Sequence, residues 1–273
     1  MALVTRRQIG FERFGVLVFL VIFLAPVLWL LTTAYKPARE IFSIPPTLFF
    51  APTLDHFAAI MSYMDIGALL RSSVVISLAS AVLSLLLGVP AGYALARSNW
   101  RYAKGIAYFF LFIRMIPAVA ALIPFYLMMR DIGLLGTWWA VVIMNSMFNC
   151  AFVTWMLFSY FRALPRDLEE AAMTDGCTPV GAFFKVAVPA ARSGIIASAL
   201  FCIMFSWNDF LFASFLTRLE TKPISVALLT AYGITDTSWG GMGALAHFST
   251  VPIVLMALFL NRYFVQGATN GVQ

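Results

Sequence analysis

A chain of 273 residues that is 62% hydrophobic and only 11% charged stands far from the soluble norm of about 45–50% apolar and about 25% charged, so its long apolar stretches belong in lipid. The net charge of +6 sits in the connections between those stretches, as membrane topology requires, and argues against nucleic-acid binding. Cys150, Cys177 and Cys202 lack metal-site or disulfide-framework spacing, and with no cluster of His, Cys and carboxylate residues no catalytic or metal-ligating residue is expected.

A spanning helix needs about 20 mainly apolar residues. In chain order, six segments qualify, at 14–35, 72–96, 105–129, 137–160, 193–217 and 242–261. They predict an all-α integral membrane protein with about six transmembrane helices. The first follows Arg6, Arg7 and Arg13 as a secretory leader would, but the run from Phe14 to Tyr35 is too long and ends without a small-residue cleavage pattern. It reads as a retained helix. The expected organisation is an N-terminal segment with the first helix (1–35), an external loop (36–71), a transmembrane domain (72–265) and a C-terminal tail (266–273). Eleven Lys and Arg residues fall on the side of the termini and six on the other, which places both termini in the cytoplasm. The connections 36–71 and 218–241 then face outward, with loop character from Pro45-Pro46, Pro52 and Gly240-Gly241. They either receive a substrate-delivering protein or simply connect helices.

Charges inside a span cost about 2.5–3.5 kcal/mol on insertion scales and usually face a bundle interior or a water-filled path. Arg114 in the third span and Asp209 in the fifth are therefore candidates for the substrate pathway. Beside Arg114, Met115 and Pro117 mark a kink, with Pro124 further on. Trp207, Asn208 and Asp209 combine a stacking surface with polar groups, which suits a sugar. Equally, Asn208 and Asp209 could join helices or pair with Arg114. Asn145 and Asn149, one turn apart, are pathway candidates or interhelical bonds, and His247 is most simply a satisfied interior residue.

Residues 161–192 form the long connection on the cytoplasmic side. Pro165 can occupy a first helical turn, and Asp167, Glu169 and Glu170 suit the positive end of the helix dipole. Leu164, Leu168, Ala171, Ala172 and Asp175 recur at three- and four-residue spacing as one narrow stripe. Gly176 reads as a left-handed cap. Thr178-Pro179 then opens a second short helix, and Pro189 is expected to stop it. Two helices joined by an elbow make a docking knob or a hairpin lying on the surface.

The stretch from Leu164 to Gly176, with Glu170-Ala171-Ala172 at its centre and Val188-Pro189 beyond, resembles the EAA loop of ABC importer permeases. Arg114-Met115-Ile116-Pro117, Ile132 to Thr137, Trp207 to Ala213 and Arg262 to Gly267 are similar to the carbohydrate branch that includes the maltose permeases. The resemblance implies a subunit of a binding-protein-dependent importer in the bacterial cytoplasmic membrane, with Glu170, Ala171, Ala172, Asp175, Gly176 and Pro189 coupling it to an ATPase. It implies a second permease subunit in a heterodimer, two copies of an ATPase subunit that bind ATP and magnesium, and an external solute-binding protein. No lysine lies in a P-loop context, so this chain is expected to bind no cofactor and to be no enzyme. The alternative is an ion-coupled secondary transporter with Asp209 as its ion site, which leaves the 161–192 loop without a role.

Overall fold

The computed structural model describes residues 6–230 and 239–269, with side chains described for 13–229, 239–256 and 258. The last residues of the expected tail, 270–273, and the side chains of the Arg262 to Gly267 stretch lie outside these. Among the described residues, four helices are long and apolar enough to cross a membrane. They belong to α1 (Arg6–Thr33), α3 (Ile66–Arg97), α6 (Trp138–Ala163) and α13 (Trp239–Thr269), with the short α2 (Asp55–Tyr63) ahead of α3 in the chain and α12 (Ile224–Thr230) ahead of α13. The total reaches six only when each of two bent pairs counts as one span.

Both bends have local causes. The third expected span is broken into α4 (Ala103–Ile113) and α5 (Ala118–Asp131), which meet at 85°. Pro117 has no N–H to continue the ladder and holds ψ at 121°, an extended value, while Arg114, Met115 and Ile116 close turns onto Leu111, Phe112 and Ile113. Pro124 sits inside α5. In the second pair, the segment Pro179–Ala190 meets α10 (Arg192–Trp207) at 75°. The fifth expected span does not run unbroken to 217: α10 ends at Trp207, and Asn208, Asp209 and Phe210 separate it from α11 (Leu211–Leu216).

The chain divides into two compact units, one of Met1–Ile66 with Ala227–Val251 and the other of Gly67–Val226 with Pro252–Gln273. In the first, Tyr35, Phe57 and His247 form an aromatic cluster, with the Tyr35 hydroxyl 3.3 Å from His247 Nε2. His247 is thus a satisfied interior residue. Gly240 and Gly241 do not form a loop but lie in the first turn of α13. Gly240 packs directly under the His56 ring, so its missing side chain serves close approach instead of a turn. By contrast, α1 from Arg13 to Leu30 is exposed on nearly every side in the isolated chain.

The second unit is organised by α3 lying against α6. Ser80, Ser84, Gly88 and Gly92 recur every four residues along one face of α3. Small residues at that spacing let two backbones approach in lipid, where packing and polar contacts replace the hydrophobic effect. The Ser146 hydroxyl donates to Ser80 O at 3.3 Å and to Val142 O at 2.6 Å. A Cβ on Gly88 would meet Val153 at 2.6 Å, and one on Gly92 would meet Thr154 O at 3.0 Å. Elsewhere in this unit Gly136, at φ +86°, donates to Leu216 O and accepts from the Thr221 hydroxyl, tying the turn before α6 to the end of α11.

Gly88→Leu is expected to destabilise the folded protein by about 1–3 kcal/mol, the usual cost of overpacking. Gly105→Ala, where nothing lies within 4 Å, leaves the melting midpoint in detergent where it was or raises it slightly.

Candidate functional site

Two groups of residues carry the expectations drawn from the sequence, both within the second unit. The first is the 161–192 loop. Helix α7 (Asp167–Thr174) begins two residues after Pro165, with Asp167, Glu169 and Glu170 in its first turn. Its end is a Schellman motif: Gly176 N–H reaches Met173 O at 3.1 Å, Cys177 N–H reaches Ala172 O at 3.0 Å, and Gly176 adopts φ +91°. Thr178 caps α8 (Pro179–Ala182) by accepting from Gly181 N–H.

Pro189 does not stop the second helix. A π-turn over Phe183–Ala187 leads into α9 (Val188–Ala190), and the helix breaks at Ala191. The wider turn, with Val188 N–H bonded to Phe183 O, resets the ladder just ahead of the residue that cannot donate. Pro189 itself is exposed.

The single stripe expected on α7 is in fact two faces. Leu168, Ala171 and Asp175, at three- and four-residue spacing, point outward, together with Glu170. Ala172 is half-buried and Glu169 is buried at 6% exposure. The outward face continues onto the second helix with Val180 at 66% and Phe184 at 63% exposed. It presents apolar side chains fringed by carboxylates.

Glu169 was not singled out by sequence reasoning, yet it makes the densest polar contacts of the loop. Its carboxylate accepts from Arg97 Nε at 2.9 Å, from Arg97 Nη2 at 2.5 Å and from the Tyr93 hydroxyl at 2.8 Å. Arg97, the last residue of α3, also donates to Phe161 O at 2.7 Å and Leu164 O at 3.3 Å, which closes the C-terminus of α6. The Tyr93 ring packs on Phe161 and Phe183. An arginine directly after the apolar run of α3, and three acids in one first turn of which only one can face inward, were the available signals.

The second group is the set of polar residues within the spans. Arg114 does not pair with Asp209. Its guanidinium stacks 3.9 Å over Phe205 and 5.0 Å over Phe152, and its Nη1 is buried without a hydrogen-bond partner. Asn149 donates to the Ser206 hydroxyl at 3.0 Å and to Cys202 O at 3.4 Å, joining α6 to α10. Asn145 is buried, with its side chain toward the Asp209 carboxylate. Asp209 Oδ1 caps α11 by accepting from Phe212 N–H at 3.1 Å, with the Asn145 side chain against the same carboxylate. Asn208 is exposed and folds back onto Met204 O, and Met115 is exposed. Trp207 is buried at 2%, so it offers no open stacking surface beside Asn208.

A cavity of about 640 Å³ lies between α3, α4, α5 and α6, lined by Phe110, Ile113, Ile116, Phe125, Met144 and Phe148 among others. Its walls are almost wholly apolar, so sugar hydroxyls would be left unpaired there.

Residues 84–270 match the family described as binding-protein-dependent transport system inner membrane component. The chain belongs to this family. It is 33% identical to the sulfoquinovosyl glycerol transport system permease protein SmoH of Agrobacterium fabrum, over 91% of this chain and 88% of that protein. It is likewise 33% identical to the trehalose transport system permease protein SugB of Mycobacterium tuberculosis, over 91% of each. Its fold resembles that of a chain in the crystal structure of a bacterial ABC transporter involved in the import of the acidic polysaccharide alginate, with a TM-score of 0.77 at 22% identity over 97% of this chain and all of the other. The protein is therefore a multi-pass inner-membrane permease subunit of an ABC transporter and not an enzyme, and ATP hydrolysis belongs to separate subunits.

In this permease the elbow at Gly176 holds a backbone conformation that a β-branched residue resists. Gly176→Val should lower stability by about 1–2 kcal/mol and make the 161–192 loop more sensitive to protease, read by melting in detergent and by limited proteolysis.

Proposed function

We propose that the permease is one half of an ATP-driven importer for a sugar or sugar derivative, working with a second permease subunit, two ATPase copies and an external solute-binding protein. The observation that carries this reading is the outward face of the 161–192 loop. Leu168, Ala171, Val180 and Phe184 stand exposed between carboxylates on a capped, buttressed pair of short helices. A surface of that kind fits a cleft in a partner protein better than it fits water. Glu170, Asp175 and Gly176 shape it, and Ala171 keeps its centre low.

Both termini and this loop then lie on the cytoplasmic side, where nucleotide is available. Closure of the ATPases on ATP draws the loops of the two permease subunits together, and the pathway opens outward. The exposed surface of α1 is covered by lipid or by the second subunit. Arg114, with a buried Nη1 lacking a partner, and the Asn145 and Asp209 pair are the groups offered to a polar solute, with Asn208, Met115 and Phe205 beside them. Asn149 serves by holding α6 to α10. The relatives named for trehalose and sulfoquinovosyl glycerol transport support a carbohydrate class.

Phe184→Asp should weaken binding of the ATPase subunits by about thirtyfold, as loss of an interface hot spot does, measured by co-purification and titration. With the reconstituted complex, a binding protein loaded from a carbohydrate panel should stimulate ATP hydrolysis. A panel in which no carbohydrate stimulates would sink the sugar assignment. Uptake that survives Phe184→Asp but collapses with the proton gradient would favour ion coupling through Asp209.

A further inference from the structure

We propose that Glu169 is a positioning residue for energy coupling: through Arg97 and Tyr93 it locks α7 to α3 and α6, so that these helices move with the loop as one body. The inference rests on the reading of the loop as the ATPase contact, but it concerns the inward face, away from Glu170 and Phe184.

A chain segment of only three residues, Leu164 to Arg166, links α6 to α7. Load applied to the outward face would turn α7 about that link unless something opposes the rotation. The opposing contact lies on the other side of the helix. The Glu169 carboxylate takes Arg97 Nε and Nη2 and the Tyr93 hydroxyl, while Arg97 Nη1 holds Phe161 O in the last turn of α6 and Nη2 holds Leu164 O just beyond it. One guanidinium at the end of α3 thus meets α6 and α7 together. Arg166 adds a second tether, from Nη1 to Asn99 Oδ1 at 3.3 Å and from Nη2 to Arg97 O at 3.4 Å.

Stability alone is a weak reason for this arrangement. Withdrawing a charge pair from water costs much of what the pair returns, and a well-packed apolar pair serves stability as well. What an apolar pair does not supply is a fixed direction. The forked guanidinium holds its acceptors in set positions, which is what a lever between an external surface and two spanning helices requires.

The test uses the whole reconstituted complex with its ATPase subunits and loaded binding protein, and reads substrate imported per ATP hydrolysed. Glu169→Ala should lower that ratio about tenfold, within the ordinary range of coupling energies, while the ATPase subunits still co-purify. Tyr93→Phe, which removes one hydroxyl and keeps the ring contacts, should lower it less, and Glu169→Asp should recover part of the loss. A ratio equal to that of the unaltered complex in Glu169→Ala overturns the proposal, as does a loss of transport and hydrolysis in strict proportion. Should Glu169→Ala fail to assemble, Tyr93→Phe decides: a lowered ratio supports the brace and an unchanged one overturns it. Failure of the docking reading shows separately, as ATPase subunits that remain bound to Phe184→Asp whatever the Glu169 variants do.

Discussion

Helix α3 lies against α6 because Ser80, Ser84, Gly88 and Gly92 put almost no side chain between the two backbones. In lipid there is no hydrophobic reward for bringing helices together, so close packing and a few polar contacts must do it. Much else in the second unit depends on that approach. It sets where α3 ends, and hence where Arg97 reaches the last turn of α6 and Glu169. It also presents Val153 and Leu157 to the core shared with Phe161, Phe183 and Cys202. A loop that juts from a membrane protein has little of its own to hold it, and this one borrows its rigidity from a helix contact within the spans.

The two bent pairs obey a different constraint. Backbone groups in the apolar layer must be satisfied, and irregular segments survive only where protein or a polar cavity supplies partners. The break at Arg114 to Pro117 closes its turns locally and places a guanidinium over two phenyl rings on α6 and α10, an accommodation of charge by aromatic faces. A third interruption, after Trp207 between α10 and α11, uses Asp209 as a helix cap, and Ser225 donates to its carbonyl. The charges inside these spans are therefore also groups that make the breaks tenable.

Most of the architecture was legible in the sequence, since spans declare themselves by length and lack of charge. Pro117 announced its bend, and Gly176 and Thr178 announced the elbow, because their backbone chemistry leaves few alternatives. Pro189 misled, since a π-turn a few residues upstream resets the ladder and proline in isolation carries no sign of it. Gly240 and Gly241 misled for a related reason: a glycine needed for contact with His56 looks the same in sequence as one needed for a turn. The two faces of α7 were hidden because alanine at 171 and at 172 is equally small and only neighbouring elements decide which one points inward. Glu169 was missed because its partner lies 72 residues away in the chain, and adjacent acids are indistinguishable until Arg97 selects one.

The bareness of α1 bears on how such a chain is made. Its apolar stretch, Arg13–Thr33, precedes the other described spans in the chain and carries no buried residue through most of its length. It can enter the bilayer alone, at its full length, and remain there stably without any other part of the protein. The first bent pair has no such independence, because the rings that cover its Arg114, Phe152 and Phe205, belong to helices synthesised after it. Biogenesis therefore has a built-in order: an early, self-sufficient anchor tethers the nascent chain while the helices that must find each other are still arriving.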